Sequence, residues 1–374
     1  MSRRIDVFLQ YYKPHVSGLT NMAAAIAEAA AVDGYDVHVH CVAKSGSTTV
    51  SAVDGVTVHA YRRSFSLGRA NFSLGFVNAA WRVRKKHGVA HLHLPLPESG
   101  LFGWILSSRP LVVTYQCDAP LTGGMADVVA RALDVSHRNL IRKAARTVTS
   151  SEDYAEHSRL SDLFTAVGSL AVPATSVDRS GGRPRYTVDG RRQVGFLGRP
   201  TSEKGIDVLM DAMDLLPEDV LLTLAGPLDG LSEEVGYDRH RLEVLMSSGR
   251  ARSLGFLEED EIADFYASLS VFVLPSTNSF EAFGIVQVEA MTAGTPVVAS
   301  NLPGVRTIIE RTGFGEVAPV GDPVGLAGAI ERALTNQYDR DAAENVLHSA
   351  YLPPVPERAY LALFDELSHK HTQV

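Results

Sequence analysis

Two carboxylates, Glu281 and Glu289, stand eight positions apart in the stretch STNSFEAFGIVQVEAMTAGTP (276–296). Between them Gly284 opens an apolar helix, which Gly294-Thr295-Pro296 closes. One acid at a strand exit and a second inside the next helix flank a helix N-terminus. That terminus offers unpaired N–H groups and a positive dipole end to an anion. Such a site suits a nucleotide sugar, with the diphosphate on the amides and each carboxylate accepting hydrogen bonds from sugar hydroxyls. Upstream, Arg199 and Lys204 lie in GRPTSEKG, a loop after a strand and before a helix. Guanidinium and ammonium groups there fit phosphates, and the alternative for each is a surface ion pair. For Glu289 the alternative is a solvated helix face, but its neighbours Ile285, Val286, Val288, Ala290 and Met291 make that helix apolar nearly all round. A buried acid needs a partner. For Glu281 the alternative is a first-turn acid favoured by the helix dipole, a role compatible with sugar binding.

These groups must be held by regular elements. IDVFLQYY (5–12), an alanine-rich helix (20–32) and YDVHVHCV (35–42) form a strand–helix–strand unit, and strands and helices alternate onward to residue 173. Residues 176–192, rich in Ser, Gly, Pro and Arg, read as a linker. The alternation restarts at QVGFLG (193–198) and runs to the helix 324–336, and an amphipathic helix is expected near the C-terminus. The expected organisation is an α/β protein with domains at 1–175 and 193–354 and a terminal helix within 355–374 that packs toward the first domain. In doubly wound sheets of this kind ligands bind beyond the carboxyl ends of the strands.

A length of 374 residues, 45% apolar and 21% charged, fits two globular domains. Cys41 and Cys117 each end an apolar run and are expected as buried free thiols, which favours a reducing, cytosolic setting. No run is long and apolar enough to span a membrane. Residues 1–173 carry 18 Lys+Arg against 13 Asp+Glu, and the remainder 17 against 30. That asymmetry suggests a different partner for each half, or chance surface variation.

Five ordered motifs carry a resemblance: GFLGRPTSEKGIDVLMDAM (195–213), LTLAGP (222–227), LGFLEEDEIADFYASLSVFVLPS (254–276), SFEAFGIVQVEAMTAGTPVVAS (279–300) and APVGDPVGLAGAI (318–330). The chain resembles a retaining glycosyltransferase of the GT-B fold, similar to glycosyltransferase family 4. The resemblance covers most of the chain and is strongest in its second half. It implies two Rossmann-like domains facing a central cleft. It also implies a UDP- or GDP-linked sugar donor, an acceptor hydroxyl on a small molecule, saccharide or lipid, no nucleic acid, and no required metal or cofactor. By the same resemblance Glu281 lies near the transferred sugar, and backbone around Ala282, Phe283, Gly284 and Ile285, with Gly18 and Gly198, approaches the donor. Glu289 then meets the ribose, and Arg199 and Lys204 neutralise the phosphates.

The first half departs from the family pattern. Ser17-Gly18 stands where relatives often carry Gly-Gly, and Gln116 where many carry a histidine. An amide orients a sugar but cannot carry a proton. This keeps open a catalytically weak sugar-nucleotide-binding subunit, beside a hydrolase or epimerase of the same fold. Asp118 is an acceptor-site candidate or a turn-forming acid, and His15 a weaker acceptor candidate. His91 and His93 share one strand face and read as buried, hydrogen-bonded histidines ahead of a metal pair. Asp339-Arg340-Asp341 reads as a helix start. The basic run Trp81–Lys86 reads as helix C-terminal cations, with peripheral contact to an anionic membrane as the second reading.

Overall fold

The structure is a computed structural model describing residues 3–15, 17–43, 46–67, 70–121, 123–227 and 236–372. The chain divides into two units, residues 1–175 with 354–374, and residues 176–353.

The first unit is built on β1 (Arg4–Phe8), α1 (Gly18–Val32), β2 (Asp36–Val42), β3 (Thr49–Val53), β4 (Val56–Tyr61), β5 (Phe65–Leu67), β6 (Ala70–Phe72) and α2 (Leu74–Val83). It continues through β7 (Val89–Leu94), α3 (Ser99–Ile105), β8 (Leu111–Tyr115), α4 (Met125–Ile141), β9 (Arg146–Thr149), α5 (Glu152–His157), α6 (Ser161–Val167) and β10 (Leu170–Ala171). Eight strands form one sheet in the order β10-β9-β8-β7-β1-β2-β4-β3, with β3 antiparallel to β4 and the other pairs parallel. The strand order reverses between β1 and β7. Phe8 and Leu92 are register partners, and Phe8 packs on Phe76 of α2 and Phe102 of α3. β7 and β8 are buried along their whole length, polar His91, His93 and Thr114 included, which matches a parallel sheet covered on both faces.

The second unit contains β11 (Arg192–Leu197), α7 (Ile206–Leu215), β12 (Val220–Ala225), α8 (Arg239–Ser247), β13 (Ala251–Ser253), α9 (Ile262–Ala267) and β14 (Val271–Leu274). It ends with α10 (Ile285–Thr292), β15 (Val297–Ser300), α11 (Arg306–Thr312), β16 (Gly315–Ala318), α12 (Pro323–Thr335) and α13 (Arg340–Ala350). Its six strands are all parallel, in the order β13-β12-β11-β14-β15-β16, with the reversal between β11 and β14. Val194, Phe196, Leu222, Val273 and Val298 pack beneath α7 and α12 in its core. Asp339 caps α13 by accepting from Ala342 N–H, so the acidic pair there serves a helix start.

Residues 176–192 belong to the second unit. Their turns are held by side chains of that unit: Thr292 and Asp264 accept from the N–H of Arg179 and Arg183, and Ser268 accepts from Tyr186 N–H. A composition poor in apolar residues is therefore ordered through its backbone. The last helix, α14 (Val355–Thr372), returns to the first unit, where Tyr360 and Phe364 pack on His91 of β7. His91 is the register partner of Val7 and so faces away from the Phe8 side, which puts α14 and α2–α3 on opposite faces of the sheet.

Candidate active site

The reversal between β11 and β14 brings two loops together. The first leaves β11 through Gly198 and Arg199 and ends in a short 3₁₀ turn, Ser202–Lys204, followed by Gly205. Gly205 has φ +71°, and a Cβ there would lie 1.8 Å from the carbonyl oxygen of Pro275. Only glycine allows that approach, which clamps the first loop to the exit of β14. Thr277 completes the clamp: its N–H donates to Glu203 O at 3.0 Å and its hydroxyl to Ser202 O at 3.1 Å.

Across this clamp the Lys204 ammonium donates to Glu281 Oε2 at 2.5 Å, and Ser276 Oγ donates to the same oxygen at 3.3 Å. The side chains of Glu281 and Lys204 are 13% and 40% exposed. Arg199 is exposed and makes no hydrogen bond or ion pair among the described residues. Its cation is available to an incoming anion. Gly198 has φ +134°, with open space where a side chain would stand.

Glu281 leads into α10. Gly284, at φ +79°, forms the N-cap and supplies no side chain to the first turn. A Cβ at Gly284 would lie 2.5 Å from Leu274 Cδ2 and 2.8 Å from Gln287 Nε2. Gln287 is fully buried and fixes the turn, donating to Phe283 O at 2.7 Å and Val305 O at 3.1 Å. The first amides of a helix have no intrahelical acceptor. Among the described residues the N–H groups of Phe283, Gly284 and Ile285 have none elsewhere, whereas Ala282 is engaged.

Glu289 lies on α10 and is 7% exposed. Its Oε2 faces Arg179 Nε at 3.5 Å and accepts from the Tyr266 hydroxyl at 3.4 Å. Burial pushes its pKa up, and the Arg179 guanidinium opposes that shift. The partners of Glu289 among the described residues face Oε2 alone, which leaves Oε1 for another donor. Arg179 is a residue the sequence reading missed. Its signal was weak, one arginine in a polar stretch, and only the fold brings it to Glu289. Phe256 was missed too. It is 70% exposed just beyond β13, and Gly226 N–H donates to Gly255 O at 2.7 Å beside it. Gly226 also touches the exit of β11, since a Cβ there would stand 2.2 Å from Gly198 O.

In the first unit Ser17 adopts an extended conformation and caps α1, its Oγ accepting from Thr20 N–H at 3.2 Å. The backbone freedom of a second glycine is therefore not needed, and the hydroxyl replaces it with a cap. Gly18 is exposed at the first turn. Gln116, half-buried after β8, donates Nε2 to His93 Nδ1 at 3.1 Å and approaches Leu19 O at 3.5 Å. Gly18 and Gln116 are thus brought to one place, while His15 packs beside Tyr11 in the same first loop. Asp118 needs correction as an acceptor-site candidate. It is 4% exposed, and its oxygens accept from the hydroxyls of Tyr115 and Ser158 and from Arg159 N–H. Those bonds make it an internal tie of its loop. His91 and His93 are fully buried, their rings 4.2 Å apart, and His91 bonds Thr114. Among the described residues no group of three or more His, Cys, Asp or Glu could hold a metal ion. Cys41 and Cys117 are buried and neither is in a disulfide among the described residues.

The order and geometry of these elements agree with comparison to known proteins. A family model described as glycosyl transferases group 1 matches residues 183–347, and one described as a glycosyl transferase 4-like domain matches residues 17–201. The phosphatidyl-myo-inositol mannosyltransferase of Mycobacterium leprae is 30% identical over 274 residues, covering 70% of this chain and 68% of that protein. The alpha-D-kanosaminyltransferase of Streptomyces kanamyceticus is 27% identical, covering 78% of this chain and 79% of its own length. Anabaena Alr3699/HepE, solved with UDP and glucose, superposes with a TM-score of 0.72 at 20% identity, covering 98% of this chain and 100% of the other. The ordered motifs, the two parallel sheets and these matches agree, and the chain belongs to glycosyltransferase family 4, as a glycosyltransferase of the GT-B fold.

Proposed function

We propose that the protein transfers a sugar from a UDP- or GDP-linked donor to a hydroxyl acceptor, with retention at the anomeric carbon. The observation that carries this is the Lys204–Glu281 contact across two clamped loops, beside the uncapped start of α10. The donor diphosphate would rest on the amides of Phe283, Gly284 and Ile285, with Arg199 and Lys204 as its cations. Leaving-group departure builds negative charge on the diphosphate, and fixed N–H groups and cations stabilise that charge. Binding would draw Lys204 from Glu281 toward phosphate and free the carboxylate for sugar hydroxyls. Glu289 Oε1 would accept from the ribose, and the exposed Phe256 ring would lie against the base. Gly18, Gly198 and Ala282 would supply close backbone, and Gln116 an amide for sugar or acceptor. No metal or cofactor takes part in this reading. Similar proteins support the donor and acceptor classes: HepE is solved with UDP and with UDP-glucose, and the mannosyltransferase is named for phosphatidyl-myo-inositol.

Gln116 favours a second reading, a subunit that binds sugar nucleotide without turning it over, because its Nε2 is already committed to His93. One assay separates the two. The protein is incubated with labelled UDP- and GDP-sugars, with and without polyol, saccharide and lipid acceptors, and the product's anomeric configuration is read by NMR. Acceptor-dependent nucleotide release with retained configuration supports transfer. Saturable binding with no turnover for any acceptor supports the subunit, and release independent of acceptor supports a hydrolase.

A further inference from the structure

The parallel strands of the first sheet end at a common edge. β4 is parallel to β2, and through it to β1, β7 and β8. Arg62 and Arg63, which follow β4, therefore leave the sheet at the edge where Gly18 and Gln116 stand after β1 and β8. Beyond Tyr61, the last residue of β4, opens a pocket of about 390 Å³ lined by Gly46, Ser47, Arg62 and Arg63. Its walls are tied to the rest of the unit. Arg62 N–H donates to Thr48 Oγ1 at 3.1 Å, and Ala43 N–H to Tyr61 O at 2.7 Å. Arg63 Nη1 donates to Asn71 Oδ1 at 3.3 Å. Asn71 is 6% exposed, accepts from Ser66 Oγ at 2.7 Å and donates to the Tyr11 hydroxyl, while its carbonyl accepts from Gln10 Nε2 at 2.7 Å. This buried amide links Arg63 to the first loop, where the Tyr11 ring packs on His15. The charge in the pocket is not neutralised. Arg62 and Arg63 are exposed, neither forms an ion pair among the described residues, and the Arg62 side chain makes no hydrogen bond among them. Between residues 43 and 75 the sequence holds one acid, Asp54, which lies in the turn at the other end of β4 and binds Lys13 at 2.9 Å.

We propose that this pocket binds a dianionic phosphate, and that the acceptor of the transfer reaction is a phosphomonoester. This rests on the transferase reading above and extends it to the acceptor's chemistry. Two adjacent guanidinium groups match a phosphate ester of charge about −1.5 to −2 at pH 7, and their N–H forks meet its oxygens in pairs. A carboxylate would engage one fork and leave the second guanidinium unmatched. Position sets the rest. β4 is two strands from β1, about 10 Å at the usual strand spacing. A phosphorylated sugar or polyol spans that distance, its phosphate at Arg62 and Arg63 and a hydroxyl toward the loop after β1. Ligands of such sheets lie beyond the carboxyl ends of the strands, which is where this pocket opens.

Equilibrium binding to the full chain tests the proposal without a known acceptor. Glucose 6-phosphate, glycerol 3-phosphate, dimethyl phosphate, glucose and glycerol are titrated by ligand-observed NMR, with UDP and GDP in excess to keep simple phosphates off the donor loops. At least one monoester should bind roughly tenfold more tightly than its parent alcohol and than dimethyl phosphate, and high salt should weaken it. Arg62→Gln with Arg63→Gln should abolish that preference. Arg62→Gln alone should reduce it about fivefold, and keeps the proposal falsifiable if the double variant fails to fold. Affinity for UDP and GDP should stay at the wild-type value in both variants, which separates this site from the donor site. A chain that binds a monoester through Arg62 but binds neither nucleotide would contradict the donor reading and leave the phosphate site standing. Absence of monoester binding, equal binding of dimethyl phosphate or the parent alcohols, or a full preference retained by folded Arg62→Gln would each overturn the proposal.

Discussion

At the strand reversal of the second sheet, Arg199 is unpaired among the described residues and the first amides of α10 lack acceptors, with Lys204 resting on Glu281. At the reversal of the first sheet the polar groups are largely satisfied from within. Ser17 caps α1, Gln116 bonds His93, and Asp118 is filled by Tyr115, Ser158 and Arg159. Both sheets place loops at the same topological position. The contrast is between a loop set with donors still to satisfy and one that spends its hydrogen bonds on its own shape. On the proposed reading the first would take a diphosphate on its free amides and Arg199 with Lys204 alone changing partner, and donors fixed in this way favour strong electrostatic stabilisation.

The largest expected effect lies in the second unit. Glu281→Ala or Lys204→Ala should lower kcat/KM by about 10²-fold or more, because on the proposed reading each removes a group that meets developing charge or sugar. Melting temperature should barely move, since both side chains lie on partly exposed loops. Near-normal rates in both variants would erase the difference between the two reversals.

Asp118→Ala should behave in the opposite way. Two buried hydroxyls and a backbone amide would lose their acceptor, at a cost of about 2–4 kcal/mol in unfolding free energy. Equilibrium urea unfolding reads this. A stable variant with a raised acceptor KM would return Asp118 to the acceptor site.

The contrast extends to pH. Burial lowers the pKa of His40 and His91, and pushes His93 down to about 3 and His137 to about 4. All four lie in the first unit. A neutral buried histidine gains its proton only on unfolding, so the unfolded chain binds more protons between pH 6.5 and about 4. Stability of the first unit should therefore fall as pH drops through that window, with Glu98, whose carboxyl burial pushes up to about 7, opposing as one group against the four histidines. Asp6 stays ionised throughout, held far down by His40, Arg4 and Arg109 against its own burial. Hydrogen exchange at pH 7.5 and pH 5 should show amides of β7 and β8 losing protection before those of β11 and β14. Equal loss in both sheets would contradict this.

The smallest effect concerns Gln116→His. The position is half-buried and borders His93 and the first turn of α1, so an imidazole fits with local adjustment. Transfer rates should change by less than roughly tenfold in either direction. Misfolding would place the residue in the core instead.

Much of the second unit was legible because its chemistry is local. Gly198, Arg199, Lys204, Glu281 and Gly284 fall within two short loops whose glycines and charges stand out from apolar strands. The partners of Glu289 were not, because Arg179 and Tyr266 lie 110 and 23 positions away and only packing brings them together. The linker reading of residues 176–192 rested on composition, which does not reveal side chains elsewhere that hold a backbone. Asp118 shows the same limit. A turn acid that binds ligand and one that ties its own loop have the same sequence, and the difference lies in the hydroxyls of Tyr115 and Ser158.

The central claim is that the loops joined by Lys204 and Glu281 hold a pyrophosphate. Calorimetric titration of the wild type with UDP, GDP, UMP and GMP, repeated on Lys204→Ala, tests it most directly. The account predicts that at least one diphosphate binds about tenfold or more tightly than its monophosphate, and that the alanine variant loses most of this difference. Equal affinity for diphosphate and monophosphate in the wild type, or a difference untouched by Lys204→Ala, would contradict it.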